Sequence, residues 1–390
     1  MKKIRKLLVV TILSLSGLCL VLVAVSAISN HRLPQHSPVV ATLSEADKIR
    51  LAEIQHLRQM VGGEVWPGWG QADIPFILYN EEYAFLVSYP DPPDGWVKVP
   101  QGTRRGGPWE LAPNELFFTE PYYRQRLPDP DTTPEAFTVL VGERWAASLQ
   151  TLDWAKISLV QPIRADLPPF LRLVFPYRLF IGQLVSGSDQ YISLAAHEAF
   201  HAFQGMSAPD KFASAELAVG EHESQYPWQD PSLQTDWQAE LDLLSSALQK
   251  SERDEIANLA GRFIDLRASR RERAGLSSGL VAYEKNREWL EGLARYAELE
   301  IWRQASGEAY APSSETSALN DFDGYAGFES RWAREIDQIV RMADDEGDGR
   351  FYYSGMAQAF LLDRLMPDWK TKAFENGIWL EDLLEENILR

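Results

Sequence analysis

The chain has 390 residues, 45% of them hydrophobic and 11% aromatic, which is enough apolar material for one large core or two packed subdomains. Its formal net charge of −18 sets the body against nucleic acid and against anionic lipid surfaces as partners. The single cysteine, Cys19, excludes an intrachain disulfide and a thiolate-held metal, so any metal must be bound by His, Asp or Glu.

Lys2, Lys3, Arg5 and Lys6 precede an apolar stretch over residues 7–28 that is interrupted by Thr11, Ser14, Ser16, Gly17 and Ser26. A run of about 20 apolar residues is long enough to span a bilayer, whereas the apolar part of a cleavable signal has about 7–15. Residues 1–29 therefore read as an N-terminal membrane anchor, and the small residues Ala24, Ser26 and Ala27 leave a cleaved signal peptide as the alternative. Leu18 in front of Cys19 argues against a lipid-modified cysteine. In both cases the basic flank stays cytoplasmic and the body is extracytoplasmic, tethered by one helix or secreted.

Residues 30–64 read as a polar linker, over 30–40, followed by an amphipathic helix over 45–60. Residues 65–186 are rich in Pro, Gly and aromatics, with strand-like runs at 74–79, 84–87 and 137–141, and form the expected β-rich subdomain. Residues 187–390 carry helical periodicity at 191–204, 237–250, 253–273, 281–305, 331–344 and 355–365. The fold class expected is α+β, a β-rich N-terminal half followed by a helical C-terminal half, with a cleft where the halves meet.

The chemistry is concentrated at His197-Glu198-Ala199-Phe200-His201. Histidines four apart on a helix project from one face and can reach one ion, while the glutamate beside the first can hold an attacking water. Leu194-Ala195-Ala196 before the motif and Ala202-Phe203 after it are uncharged; Ser188 or Asp189 is the expected N-cap and Gly205 the expected stop.

This segment resembles the active-site helix of zincin metallopeptidases. The resemblance implies that His197 and His201 bind zinc and that Glu198 is the general base. No histidine occurs near Ala208, where the metzincin branch would place one. Trp289-Leu290-Glu291-Gly292-Leu293-Ala294-Arg295-Tyr296 resembles the Glu-Gly-x-Ala-x-Tyr helix of the glutamate-ligated branch, which implies Glu291 as third ligand, 90 residues beyond His201 with the intervening helices as an insertion. The small Gly292 and Ala294 suit close packing against the motif helix. Glu216, Glu221, His222 and Glu223 form a competing cluster, expected on a loop between Gly220 and Pro227, with Glu221 the alternative ligand and His222 either a transition-state stabiliser or a solvated side chain.

Glu284, Glu288 and Glu298 share a helical face with Glu291. One of them is a candidate to orient a metal ligand; the competing reading is a solvated stripe paired with Arg287 and Arg295, preferred for Glu298. Arg350-Phe351-Tyr352-Tyr353-Ser354-Gly355 is similar to the tyrosine-plus-glycine segments that face the active site in several glutamate-ligated zincins, which implies Tyr352 or Tyr353 as an oxyanion donor, with core packing as the alternative. Gly275-Leu276-Ser277-Ser278-Gly279 has the serine-hydrolase spacing but joins two expected helices, and the acidic turn at 344–349 lacks the glutamate an EF-hand needs.

The function these observations support is a zinc-dependent hydrolase, a peptidase with a peptide or protein substrate, in which Zn²⁺ is held by His197, His201 and Glu291 and its water is activated by Glu198. The rival is a non-catalytic extracytoplasmic binding or assembly protein that keeps zinc for structure.

Overall fold

Ser44 accepts a hydrogen bond from the Asp47 N–H and starts helix α1, Glu45–Val65. This computed structural model describes residues 17, 21–100, 102–113, 117, 118, 120–127, 139–185 and 187–388. Most of the apolar N-terminal stretch, with Cys19 and the basic flank, lies outside them; residues 21–30 are helical, and no described helix is long and apolar enough to cross a membrane.

Among the described residues eight strands follow α1: β1 (Phe76–Tyr79), β2 (Tyr83–Val87), β3 (Trp96–Lys98), β4 (Arg104–Arg105), β5 (Glu110–Leu111), β6 (Tyr123–Arg126), β7 (Val139–Val141) and β8 (Arg144–Gln150). They form a sheet in the order β4-β3-β7-β8-β1-β2-β6-β5. The central pair β1 and β8 is parallel, with Phe76 opposite Ala147, and β1 pairs antiparallel with β2. Of the expected strand at 137–141, residues 137 and 138 lie outside the described residues. Alternation along β1 divides its side chains: Phe76 and Leu78 join the main core, while Ile77 and Tyr79 join a smaller cluster with Leu86, Trp96 and Val141 on the other face.

Helical structure begins earlier than the composition suggested. Thr151 accepts from the Trp154 N–H and starts α2 (Leu152–Ser158), followed by α3 (Val160–Asp166) and α4 (Tyr177–Leu184), so the stretch from 152 to 184 is not part of the β region. Then come α5 (Ser188–Ser207), α6 (Pro209–His222), α7 (Pro231–Leu248), α8 (Arg253–Arg273), α9 (Ser278–Arg287), a π-helical turn (Glu288–Gly292), α10 (Leu293–Ala305), α11 (Ser314–Ser317), α12 (Phe328–Ile339), α13 (Gly349–Leu365), α14 (Trp369–Lys372) and α15 (Leu380–Ile388). The expected order of a β-rich half followed by a helical half is what the fold shows.

Leu51, Ile54, Leu57, Val61 and Val65 lie on one face of α1 and enter the same core as Ala195, Ala199 and Ala297 of the later helices. The helix after the linker is thus a central element of the helical half. A buried ionic cluster joins α7, α8, α15 and the π turn. Arg267 donates to both oxygens of Glu288 at 2.6 and 2.7 Å, to Glu240 at 3.0 Å and to Glu381 at 3.0 Å. Arg270 donates to Glu240 and, at 2.6 Å, to Glu284. These arginines are fully buried, so truncating one strands several carboxylates in a dry interior. Arg267→Ala is expected to lower the unfolding free energy by about 3–5 kcal/mol, measurable as a shift of the urea midpoint.

Candidate metal centre

Neither Ser188 nor Asp189 caps α5. Gly187 occupies the N-cap position without a side-chain bond, and the Ser188 hydroxyl instead donates to Asp321 at 2.7 Å and accepts from Arg50 Nε at 2.8 Å. Gly205 does not stop the helix either. It lies under Trp145 of β8, where an added Cβ would meet the indole at 2.5 Å, so glycine is what lets α5 lie close against the sheet. His197 and His201 stand one turn apart on the buried side of α5, with their Nε2 atoms 3.1 Å apart.

Glu291 reaches them from the π turn. A π turn inserts an extra residue between flanking α-helices and re-aims the side chains it carries. Glu291 Oε2 lies 3.5 Å from His197 Nε2 and 3.3 Å from His201 Nε2. One ligand atom from each of these buried residues falls within 4.8 Å of the others, so the group can hold a metal ion. Glu291 Oε2 has no hydrogen-bond partner among the described residues, while Oε1 accepts from Arg287 at 2.9 Å. A buried carboxylate oxygen without a donor is costly, and its position facing two imidazole nitrogens fits a cation between the three. Gly292 does adjoin a closely packed helix, but the partner is α13 and not the motif helix: its Cβ would come within 2.5 Å of Gly355 Cα.

A polar group stands behind each histidine. Gln204 Nε2 donates to the carbonyls of Trp289 at 2.9 Å and Leu290 at 3.2 Å, which turns its Oε1 toward His201 Nδ1 at 2.9 Å. His201 therefore carries its proton on Nδ1 and presents a lone pair at Nε2. Glu298 takes the equivalent place for His197, with Oε2 3.4 Å from Nδ1. It is not a solvated residue: it is buried and accepts from Arg295 at 2.6 Å and Arg331 at 2.7 Å. Glu284 and Glu288 are likewise buried in ion pairs with Arg270 and Arg267, so the expected acidic stripe is an interior one.

Burial works against the His197 imidazolium, but the facing carboxylates of Glu291 and Glu298 outweigh it and hold the pKa up at about 10. Burial pushes His201 down from its ordinary value. Burial opposes ionisation of Glu291, yet Arg287 and the two histidines hold it well below the usual carboxylate range.

Glu198 lines a cavity of about 490 Å³ that lies between Tyr79 and Leu149 at the end of the sheet, Leu184 of α4, and Arg331 of α12. Its Oε2 is buried without a partner, and burial pushes the carboxyl up to about 8. The Tyr352 ring stacks on His197 with centroids 5.9 Å apart and an interplanar angle of 10°. Burial and a hydrogen bond to Glu291 keep its hydroxyl protonated. Tyr353 points elsewhere: it hydrogen-bonds Glu335, and the Arg295 guanidinium lies 5.8 Å from its ring.

The competing cluster does not gather at the histidines. Residues 209–222 are helix α6 and not a loop, because Pro209 starts it and Phe212, Ala215 and Ala218 recur on its buried face. Glu221 and Glu223 are exposed, and His222 packs on Gly279 beside Glu221. Glu216 comes near enough for the charge of Glu291 to act on it, and burial pushes it up to about 7. Ser277 accepts from the Leu280 N–H as the N-cap of α9, a structural role. The acidic turn is more than a solvated loop, since Asp348 accepts from Arg287, the cation that holds Glu291. Gln204, Arg287 and Asp348 were not anticipated as site residues; the first two sit one helical turn from a ligand, which was the signal available.

Comparison with family models, with curated proteins and with solved structures finds no match.

One divalent ion per chain is expected by elemental analysis, lost in Glu291→Ala and retained in Glu221→Ala; equal retention in both would remove Glu291 from the site. Metal uptake must displace the proton that His197 holds below a pKa of about 10. Affinity should therefore rise about tenfold per pH unit from pH 6 to 9, as titration with a competing chelator will read.

Proposed function

We propose that the protein is a zinc-dependent hydrolase of the zincin type, glutamate-ligated, acting on peptide bonds. The observation that carries this reading is Glu198, a buried carboxylate with an unpartnered Oε2, on a cavity wall and one residue from a metal-capable histidine. A purely structural ion has no use for such a group, which is what weighs against the binding-protein alternative. The ligand set of two imidazoles and one carboxylate suits Zn²⁺ and leaves a coordination position to a small molecule.

His197, His201 and Glu291 would hold the ion. Bound zinc supplies Lewis-acid activation of water and of the scissile carbonyl at neutral pH. Glu198 takes the proton of the attacking water on Oε2 and returns it to the leaving amine. Its raised pKa is an effect of burial, and a divalent charge beside it would favour the ionised form needed for a base. Glu298 and Gln204 keep the imidazoles oriented and Arg287 orients Glu291. Tyr352 has its hydroxyl at the ligand cluster and is the donor best situated for a developing oxyanion. The apolar run at residues 7–28 supports an extracytoplasmic body, tethered or released.

Glu198→Gln should retain one zinc per chain and lose at least about a hundredfold in peptide turnover, the lower end expected for removal of a general base. Activity within a fewfold of the unaltered chain would refute the role given to Glu198.

A further inference from the structure

The segment that joins the sheet to the motif helix presents apolar side chains to solvent. Phe170, Leu173 and Leu179 are 76%, 75% and 65% exposed, and Leu171, Phe180 and Leu184 are exposed beside them. Isolated exposed apolar residues are ordinary, but a run of this kind on one short lobe marks an interaction surface. The lobe has a small core of its own, in which Val160, Tyr177 and Ile181 pack with Ile163, Phe175 and Leu33, so the exposed residues are held outward by a folded base.

Two observations identify what covers it. The first is continuity with the apolar N-terminal helix. Asn30, at the end of that helix, donates to the carbonyls of Leu173 and Phe175 at 2.9 and 2.8 Å, and Arg178 donates to the Arg32 carbonyl. The chain thus leaves its most apolar stretch against the lobe that carries the exposed patch. The second is charge. Within a chain of net charge −18, residues 152–184 hold four basic and two acidic residues, and residues 30–40 have Arg32 and no acid. Arg172 and Arg178 donate only to backbone carbonyls, and Arg164 lies 5.3 Å from the Tyr177 ring. None of these three is in an ion pair among the described residues. The acidic remainder of the body acts weakly at this surface, because screening at physiological salt confines charge effects to about 8 Å.

We infer that the lobe formed by residues 152–184 is a membrane-docking surface that inserts Phe170, Leu173 and Leu179 into the interfacial layer of a bilayer and sets Arg164, Arg172 and Arg178 at the level of anionic headgroups. Exposed apolar side chains interleaved with unpaired arginines are the composition of interfacial protein segments. The whole-chain charge pointed away from anionic lipid; the local distribution reverses that sign where the chain meets the bilayer. Leu184 belongs both to this patch and to the wall of the Glu198 cavity, so a docked body holds the rim of that cavity at the membrane surface. The docking itself does not depend on the metal chemistry.

The test uses the full chain with Cys19→Ser, carrying one nitroxide label in turn through Leu173→Cys, Leu179→Cys or, as an aqueous control on α8, Glu255→Cys. After reconstitution into vesicles of phosphatidylcholine and phosphatidylglycerol, collision of each label with oxygen and with a water-soluble nickel chelate is measured. The expected result is a shift toward oxygen and away from nickel at 173 and 179 relative to 255. Labels at 173 and 179 as accessible to nickel as the one at 255 would overturn the inference. So would spin–spin broadening at 173 and 179 in detergent micelles, which would make a second copy of the chain the occupant. All three positions are exposed, so loss of folding does not confound the outcome.

Discussion

Two imidazoles and a carboxylate meet within 3.5 Å of one another in the interior of the helical half. Taking such groups out of water costs several kcal/mol per charge unless opposite charge and hydrogen bonds replace the lost hydration. That constraint accounts for much of the surrounding sequence. Glu291 has Arg287, which is itself held by Asp348; Glu298 has Arg295 and Arg331; Glu288 has Arg267 and the Ser354 hydroxyl. A carboxylate face that would be solvated on an ordinary helix is here matched residue by residue with guanidinium groups, Arg287 and Arg295 from the same helical run and Arg267, Arg270 and Arg331 from other elements. Among the groups left without a partner is Glu291 Oε2, which faces the two imidazole nitrogens at the place where a cation fits.

Backbone geometry makes the convergence possible. The π turn carries Glu291, and it passes α13 at a distance that only glycine permits on both sides, Gly292 on one and Gly355 on the other. A Cβ on Gly355 would strike the Glu288 carbonyl within that same turn. The close approach also brings Tyr352, three residues before Gly355, over the His197 ring. On the opposite side Gly205 lets α5 lie against Trp145 of the sheet. The ligands are thus set by contacts of regular elements, which suits the precision a metal site requires.

The helical half was legible because its periodicity is strong: the expected helix at 253–273 coincides with α8, and the motif spacing places His197 and His201 on one face, as the structure has them. Glu291 was legible through its resemblance to a glutamate-bearing helix and not through its spacing. The failures have physical reasons. Gly205 was read as a helix stop, while it is small because Trp145 lies on it; Gly292 was read as packing against the motif helix, while the helix that lies on it is α13. The stretch between Gly220 and Pro227 was read as a loop, although alanines at helical spacing carry α6 through to His222. Glu298 was assigned to solvent because sequence displays its helical neighbour Arg295 but not Arg331 and His197, which meet it only through the tertiary fold.

The helices between His201 and the third ligand read as an insertion in the site. In the fold they are part of its support. Arg267 and Arg270 of α8 and Glu240 of α7 come from within that interval, and they clamp Glu284 and Glu288, which lie seven and three residues before Glu291. Trp237 of α7 lies 4.2 Å from the Arg270 guanidinium and covers the cluster. Without α7 and α8, the acidic residues preceding Glu291 would need water, and the helix bearing the ligand would have to turn that face outward. Glu291, on the same face, would turn with it. The insertion is therefore what allows this strongly acidic helix to be buried, and burial of the helix is what brings its one unneutralised oxygen to the two histidines.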